Sequence, residues 1–392
     1  MITGRLQKTT RKKAVGNKMR KPLELYVHIP FCVKKCDYCD FLSGYADRER
    51  QESYIRALLA EIAGIPADPG REVISVFIGG GTPSVMDAAW IGEILDALND
   101  KFVISPEAEM TMEANPGTLT REKLGLYRAH GINRLSIGLQ SPKDEELKIL
   151  GRIHTYQEFL KSYTMAREAG FSNINIDLMC AIPGQTYEGW IENLCIAAQL
   201  SPEHISAYSL TIEEGTPFAE KELALPDEET EYRMYEDTAA VLAEYGYRQY
   251  EISNYAKEGF ACRHNIGYWK RTEYLGLGLG AASLYEGLRF ANTGNMEEYL
   301  TGSRDAACIR RDILHLSERE QMEEFMFLGL RMTEGICEQE FQKQFGRLLP
   351  EIYGTILEKY ENMGFLERKA GFWRFTRAGI HVSNQILADF LA

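Results

Sequence analysis

Apolar and β-branched runs recur through the first half of the chain, at 24–29, 73–79, 108–113, 132–137, 172–178 and 203–208. The intervals at 50–64, 87–99, 120–130, 155–169 and 187–199 carry apolar residues at helical spacing instead. This alternation predicts six βα units in series, hence a parallel sheet with right-handed crossovers. A doubly wound sheet and a barrel-like sheet both satisfy it, and both gather ligands at the C-terminal ends of their strands. Polar motifs fall at those ends. A cysteine loop follows the first run, Gly79-Gly-Gly-Thr-Pro83 the second and Glu113-Ala-Asn-Pro116 the third. Gly138-Leu-Gln140 follows the fourth, and Asp177 closes the fifth.

The pattern loosens over 210–317, where a helix is predicted at 228–245 before aromatic and glycine-rich segments. It tightens again at Ser317, which with Glu320 forms a capping box for a helix at 318–331. Helices at 337–346 and 350–362, a hairpin through Phe372-Trp-Arg-Phe375 and a last helix from Thr376 give the order of a winged-helix module. Acidic residues outnumber basic ones there, so it reads as an interaction or lid domain and not a DNA reader. The expected organisation is a leader at 1–22, a barrel-like core at 23–215, an extension at 216–316 and the winged-helix-like end at 317–392.

At 392 residues the chain exceeds one ordinary core, and its formal charge of −13 argues against nucleic acid as a partner. Arg5, Lys8, Arg11, Lys12, Lys13, Lys18, Arg20 and Lys21 form an acid-free start. It reads as a disordered leader, or as an upstream start chosen over Met19; a nucleic-acid arm or a targeting peptide is the other reading. No apolar run approaches the roughly 20 residues of a membrane span. Eight cysteines with no signal peptide ahead of them read as metal ligands and buried thiols in a cytoplasmic protein.

Cys32, Cys36 and Cys39 stand as C-x3-C-x2-C in a loop that also holds Pro30, Lys34, Lys35 and Asp37, which is not core composition. Three thiolates hold three corners of an iron–sulfur cube and leave one open. Zinc completed by a distant histidine is the other metal reading. Glycines at 79–81 let backbone approach a ligand, although the same run also serves as a tight turn. Glu113, Gln140, Arg152 and Asp177 offer the carboxylates, amide and guanidinium that an amino acid moiety and a ribose need. Each taken alone suits a loop hydrogen bond equally well.

Together, Tyr26-Val-His-Ile-Pro-Phe-Cys-x3-Cys-x2-Cys39, Gly79-Gly-Gly-Thr-Pro83, Glu113-Ala-Asn-Pro116, Leu135-Ser-Ile-Gly-Leu-Gln140 and Asn175-Ile-Asp-Leu178 resemble the radical S-adenosylmethionine (SAM) superfamily. More narrowly, the chain resembles the oxygen-independent coproporphyrinogen III oxidase-like family over nearly all of 23–390. The resemblance implies a partial (β/α)6 TIM-like barrel with a C-terminal α+β region. It implies a [4Fe-4S] cluster on Cys32, Cys36 and Cys39, with SAM on the open iron. Gly80, Gly81 and Thr82 would meet the amino acid end of SAM, with Tyr26 near the cluster. Glu113, Gln140, Arg152, Asp177 and Thr211 would line the nucleoside or a second SAM site. Reductive cleavage of SAM is the implied chemistry, with orientation and solvent exclusion left to the protein.

Two features choose between branches of that family. The porphyrinogen oxidases resemble C-x3-C-x2-C-x-C, whereas Phe41 stands here in the last position; their longer N-terminal segment is also missing. In contrast, Cys262-Arg-His264-Asn-Ile-Gly-Tyr-Trp269 and Tyr274-Leu-Gly-Leu-Gly278 resemble the heme chaperones of the HemW group. His264 would then ligate heme, with Tyr268 and Trp269 as flat apolar surface and Cys262 as a thiolate alternative. A loop-fixing histidine beside two core aromatics explains the same residues. The implied partners are heme, haemoprotein acceptors and an electron donor for the cluster, with a peripheral membrane contact and the oligomeric state left open. The competing expectation is a coproporphyrinogen III dehydrogenase or another tetrapyrrole-modifying radical SAM enzyme. Cys180, Cys195, Cys308 and Cys337, scattered among apolar neighbours, read as buried structural thiols.

Overall fold

The structure, a computed structural model, describes residues 20–391, so the basic leader lies outside the described residues up to position 19. The βα series begins with β1 (Lys21–Ile29), α1 (Arg48–Gly64), β2 (Arg71–Gly80), α2 (Ala88–Lys101), β3 (Ile104–Ala114), α3 (Arg121–Ala129) and β4 (Arg134–Gln140). It continues with α4 (Asp144–Ile149), α5 (Tyr156–Glu168), β5 (Ile174–Cys180), α6 (Tyr187–Gln199) and β6 (His204–Ser209). Asp47, Thr120, Thr155 and Thr186 each accept a backbone N–H of the first helical turn, which fixes where α1, α3, α5 and α6 begin.

These six strands lie in chain order and pair parallel throughout, with no reversal in the middle. That is a partial barrel and not a doubly wound sheet. The side-chain period of two sorts residues by face. Leu25, Val27, Val76, Ile78, Met112, Leu135, Ile176 and Ile205 turn out to the helices and are fully buried. The other face is polar: Glu24 stands across from Ser75, Ser75 across from Glu109, Ser136 across from Asn175, and Asn175 across from His204.

The segment expected as a separate extension instead continues this sheet. After α7 (Glu228–Glu244), β7 (Arg248–Gln249) and β8 (Asn254–Ala256) add antiparallel to β6. α8 (Arg263–Trp269) leads to β9 (Tyr274–Leu277), which pairs parallel with β1. β10 (Ala282–Tyr285), β11 (Leu288–Asn292), α9 (Met296–Gly302), α10 (Ala306–Ile309) and β12 (Arg310–His315) extend that edge to twelve strands. Met234, Tyr255, Leu277, Phe290 and Tyr299 share one core with the six barrel strands, so residue 215 divides nothing.

The C-terminal end has a core of its own, built on Met326, Phe341, Leu357, Trp373 and Phe390. It contains α11 (Glu318–Gly329), β13 (Ile336–Cys337), α12 (Glu338–Phe345), α13 (Leu349–Asn362), β14 (Leu366–Lys369) and β15 (Phe372–Phe375), then α14 (Arg377–His381) and α15 (Ser383–Asp389). No helix among the described residues is long and apolar enough to cross a membrane.

Candidate functional site

Pro30 follows β1, and the chain turns into the cysteine loop. Its base is closed by Cys32 N–H donating to Gly44 O at 2.9 Å and Gly44 N–H to Pro30 O at 3.0 Å. Lys35 Nζ donates to Phe41 O at 2.8 Å, drawing the loop's two limbs together. Asp37 anchors the far side: its N–H donates to Leu150 O, and its carboxylate takes Lys221 Nζ at 2.6 Å.

All three thiols line one cavity of about 140 Å³, together with Gly80, Gly81, Thr82, Glu113, Gln140, Arg152 and Asp177. Among the described residues no three His, Cys, Asp or Glu side chains close around a single ion. Two of the thiols have neighbours suited to a thiolate. Thr82 Oγ1 lies 3.5 Å from Cys32 Sγ, and Arg152 Nη1 donates to Cys36 Sγ at 3.6 Å. Burial holds the Cys39 thiol above its usual range, so an apposed cation or metal is what would ionise it. The donor set therefore fits a three-cysteine [4Fe-4S] cluster.

Arg152 organises the opposite wall. Its Nη2 donates to Asn115 Oδ1 at 2.8 Å and to Gly138 O at 2.7 Å, while Asn115 Nδ2 donates to Thr82 Oγ1 at 2.8 Å. Gly138 has no spare room: a β-carbon would meet Asn115, Gln140 and Arg152 at about 3.0–3.1 Å. Gly81 packs flat on the start of the cysteine loop, where a β-carbon would fall 2.7 Å from Phe31 O. Gln140 sits at φ 66°, an uncommon conformation for a side-chain-bearing residue, and so turns its amide into the cavity where β4 bulges.

Glu113 accepts from Gly80 N–H at 3.0 Å. Burial, then the nearby Asp177 carboxylate, push its pKa up to about 7. Asp177 is raised by burial too, but it is held by Asn175 Nδ2 at 2.7 Å and Ser136 Oγ at 3.1 Å. A buried carboxyl with a raised pKa at the cavity wall is ready for a cationic group, which would favour its ionised form.

A second cavity of about 540 Å³ adjoins the first and shares Phe41, Gly80 and Glu113 with it. Tyr26 lines this larger space and not the cysteine cavity. Its hydroxyl lies 3.0 Å from His28 Nδ1, and His28 Nε2 lies 3.0 Å from Leu42 O. The carbonyl only accepts, so Nε2 carries the proton and Tyr26 donates to Nδ1. Burial, which lowers the His28 pKa, agrees with that neutral tautomer. The remaining wall is Tyr268, Tyr274, Ala281, Leu284, Arg289 and, from the C-terminal domain, Leu328.

Two sequence expectations are corrected. Thr211 is exposed in the loop after β6 and lines neither cavity. His264 is not presented to a ligand. Its helix, α8, is driven into the barrel interior and capped by Glu109, whose carboxylate accepts Arg263 N–H at 3.0 Å and His264 N–H at 3.3 Å. His264 is 1% exposed, with Nδ1 2.9 Å from Ser75 Oγ, Nε2 3.0 Å from Tyr268 OH, and its ring stacked on Phe77. Both nitrogens are engaged, and burial with the Arg134 charge keeps the ring neutral, its pKa near 3. Cys262 is equally buried, donating to Glu109 at 3.4 Å. Tyr268 is the residue of this helix that reaches the larger cavity, so the motif's imidazole positions a wall residue. Sequence reasoning missed Tyr38 and Asn115 as cavity residues; both stood inside quoted motifs, one beside Cys39 and one beside Glu113.

The radical SAM superfamily model matches residues 26–194, and the HemN C-terminal domain model matches 316–382. The chain is 35% identical over 372 residues to the heme chaperone HemW of Bacillus subtilis, covering 93% of this chain and 98% of that one. It is 36% identical over 378 residues to the heme chaperone HemW of Escherichia coli, covering 95% and 98%. The solved coproporphyrinogen III oxidase HemN of Escherichia coli superposes with a TM-score of 0.82 at 24% identity, over 95% of this chain and 90% of that one, which establishes the shared fold. The chain belongs to the radical SAM superfamily and, within it, to the family of the HemW proteins.

Proposed function

We propose that this protein is a heme chaperone. It carries a [4Fe-4S] cluster on Cys32, Cys36 and Cys39, binds SAM beside it, and passes heme to haemoprotein acceptors. The observation that carries the reading is the pair of abutting cavities. One is polar and thiol-lined, the other large and walled by aromatic and aliphatic side chains, and Phe41, Gly80 and Glu113 form their common edge. A cavity of about 540 Å³ lies within the size range of small-molecule sites and offers the flat apolar surface a macrocycle needs. When bound, cluster and SAM together supply one-electron chemistry. The chain itself contributes Arg152 and Thr82 against the thiols, Glu113 and the Gly80 backbone toward the SAM ammonium, and Gln140 and Asp177 toward its ribose.

Phe41 favours delivery over porphyrinogen oxidation. It places an apolar ring, 60% exposed, where the oxidases resemble a fourth cysteine. An electron donor for the cluster, a cytoplasmic location and a peripheral membrane contact belong to the same reading. The test is anaerobic reconstitution with iron and sulfide, followed by heme titration and transfer to an apo-haemoprotein, beside an assay with SAM, reductant and coproporphyrinogen III. Heme binding and transfer without decarboxylation is expected. Protoporphyrinogen formation at catalytic rates would sink the chaperone reading.

A further inference from the structure

Arg289, which lines the larger cavity, belongs to an incompletely neutralised pair of arginines. Glu324, on α11 of the C-terminal domain, is shared by two guanidiniums. Arg271 Nε donates to its Oε2 at 2.8 Å, and Arg289 Nε donates to its Oε1. Arg271 and Glu324 are almost wholly covered, whereas the Arg289 side chain remains 31% exposed. Two cations against one carboxylate leave one positive charge over. Arg289 is the one permanent cation among the described residues lining the cavity, and its Nη1 also donates to Tyr274 OH at 3.2 Å. Leu328, one helical turn beyond Glu324, lines the same cavity, so α11 reaches it directly through Leu328 and indirectly through the Glu324–Arg289 pair.

We propose that Arg289 is the carboxylate subsite of the larger cavity, and that Glu324 occupies it until a ligand carboxylate takes its place. The guanidinium fork that donates to Glu324 can donate instead to a ligand carboxylate, and its planar geometry suits a propionate arm better than a point charge would. Glu324 keeps Arg271 when it gives up Arg289, so α11 loosens without losing its anchor. Ligand entry is thereby linked to the seating of the C-terminal domain, because the same carboxylate serves both. The inference rests on the heme reading, since heme supplies two such carboxylates on an otherwise apolar disc.

The test compares hemin with its dimethyl ester, whose carboxyls are masked, by absorbance titration of the full chain. Wild type is expected to prefer hemin by about tenfold, the size of one well-formed charge-assisted contact. Arg289→Gln should bind both ligands alike, at the ester's affinity, while Arg289→Lys keeps part of the preference. Glu324→Gln, which removes the competing charge and keeps a hydrogen-bond acceptor for Arg271, should raise the preference further. A hemin preference that survives in Arg289→Gln, or one that shrinks in Glu324→Gln, would overturn the subsite. If wild type bound neither compound, the heme reading would fail instead; if it bound both equally, the subsite alone would. Circular dichroism checks that each variant is folded, and Glu324→Gln gives an independent answer should Arg289→Gln not be.

Discussion

The imidazole of His28 lies against Gly80 so closely that a β-carbon on Gly80 would stand 2.4 Å from its Cε1. The contact joins the two motifs that build the site. His28 hydrogen-bonds Leu42 O and so ties β1 to the far limb of the cysteine loop, while Gly80 presents its N–H to Glu113. Gly80 also sits at φ 110°, where a side chain is strained in any case. Gly80→Ala is therefore expected to push His28 aside, free Leu42 and lower iron retention after anaerobic reconstitution. His28→Ala removes the same tie to Leu42 without touching the Gly80 backbone. It should lower iron retention in the same direction, read by cluster absorbance and iron content. Full iron retention in His28→Ala would assign the Gly80→Ala effect to backbone conformation.

Arg152 places a fixed positive charge against Cys36 and also spans Asn115 and Gly138. A cation beside a cluster ligand favours the reduced, more negative state of the cluster. Arg152→Gln should still retain iron, because the three thiols remain, but the cluster potential should move to more negative values. Potentiometric titration of the reconstituted protein checks the sign, and an unchanged or more positive potential would show that the guanidinium is structural alone. Cys32→Ser, Cys36→Ser and Cys39→Ser should each lose most of the iron.

His264→Ala tests the corrected role of the helical motif. The residue is buried, and both ring nitrogens have partners, so its removal strands Ser75 and Tyr268 and leaves a cavity in the barrel interior. A loss of about 3 kcal/mol of stability is expected, with heme affinity changed no more than a few-fold through Tyr268. Denaturant melts and heme titration on the same preparation separate the two effects. A collapse of heme affinity in a fully stable variant would restore the histidine as a direct ligand.

What the sequence made legible, and what it hid, follows the same physics. The six βα units could be read because aliphatic residues face the helices on every strand, which is a local signal. The cysteine loop could be read because three thiols among lysines and aspartate have little use except a metal. His264 could not, because a ligand histidine and a packed one look the same until their surroundings are known. Its partner Ser75 lies 189 residues earlier in the chain. The continuity of 216–316 with the barrel was hidden for the same reason: β9 finds β1 some 250 residues away, and no local pattern announces that pairing. Thr211 followed the rule that ligand residues stand at strand ends, but the chain leaves the barrel mouth after β6 and carries it into solvent.

Glu113 gives the site a pH signature. Its pKa near 7 reflects burial and the Asp177 charge, only partly offset by the Gly80 N–H and Arg134. An ammonium group placed against it stabilises the ionised form, so SAM binding should release a proton at neutral pH. Below pH 7 that proton must be removed at a cost, and affinity should fall about tenfold per unit over the next one to two units. Glu113→Gln should bind SAM more weakly at pH 8 and show little pH dependence. Anaerobic titrations of cluster-loaded protein between pH 5.5 and 8.5 measure both, and a flat profile in the wild type would place the ammonium elsewhere.

Glu24 supplies the opposite test, one of the fold itself. It lies deep in the barrel interior, across from Ser75, against Gly267 of the plugging helix and 3.9 Å from His264 Nδ1. Burial raises its pKa to about 8, so the folded chain holds a proton that the unfolded chain gives up near the ordinary carboxyl value of 4.5. Where the native state binds more protons than the unfolded state, stability falls as pH rises. The contribution is intact below 4.5 and erodes up to about 8, a loss on the order of 4 kcal/mol by that point. Glu24→Gln keeps the shape and removes the ionisation. It should match wild-type stability near pH 5, exceed it near pH 8, and flatten the profile between. Urea melts across that range decide the matter: parallel profiles for the two proteins would mean that Glu24 is already ionised and solvated within the barrel.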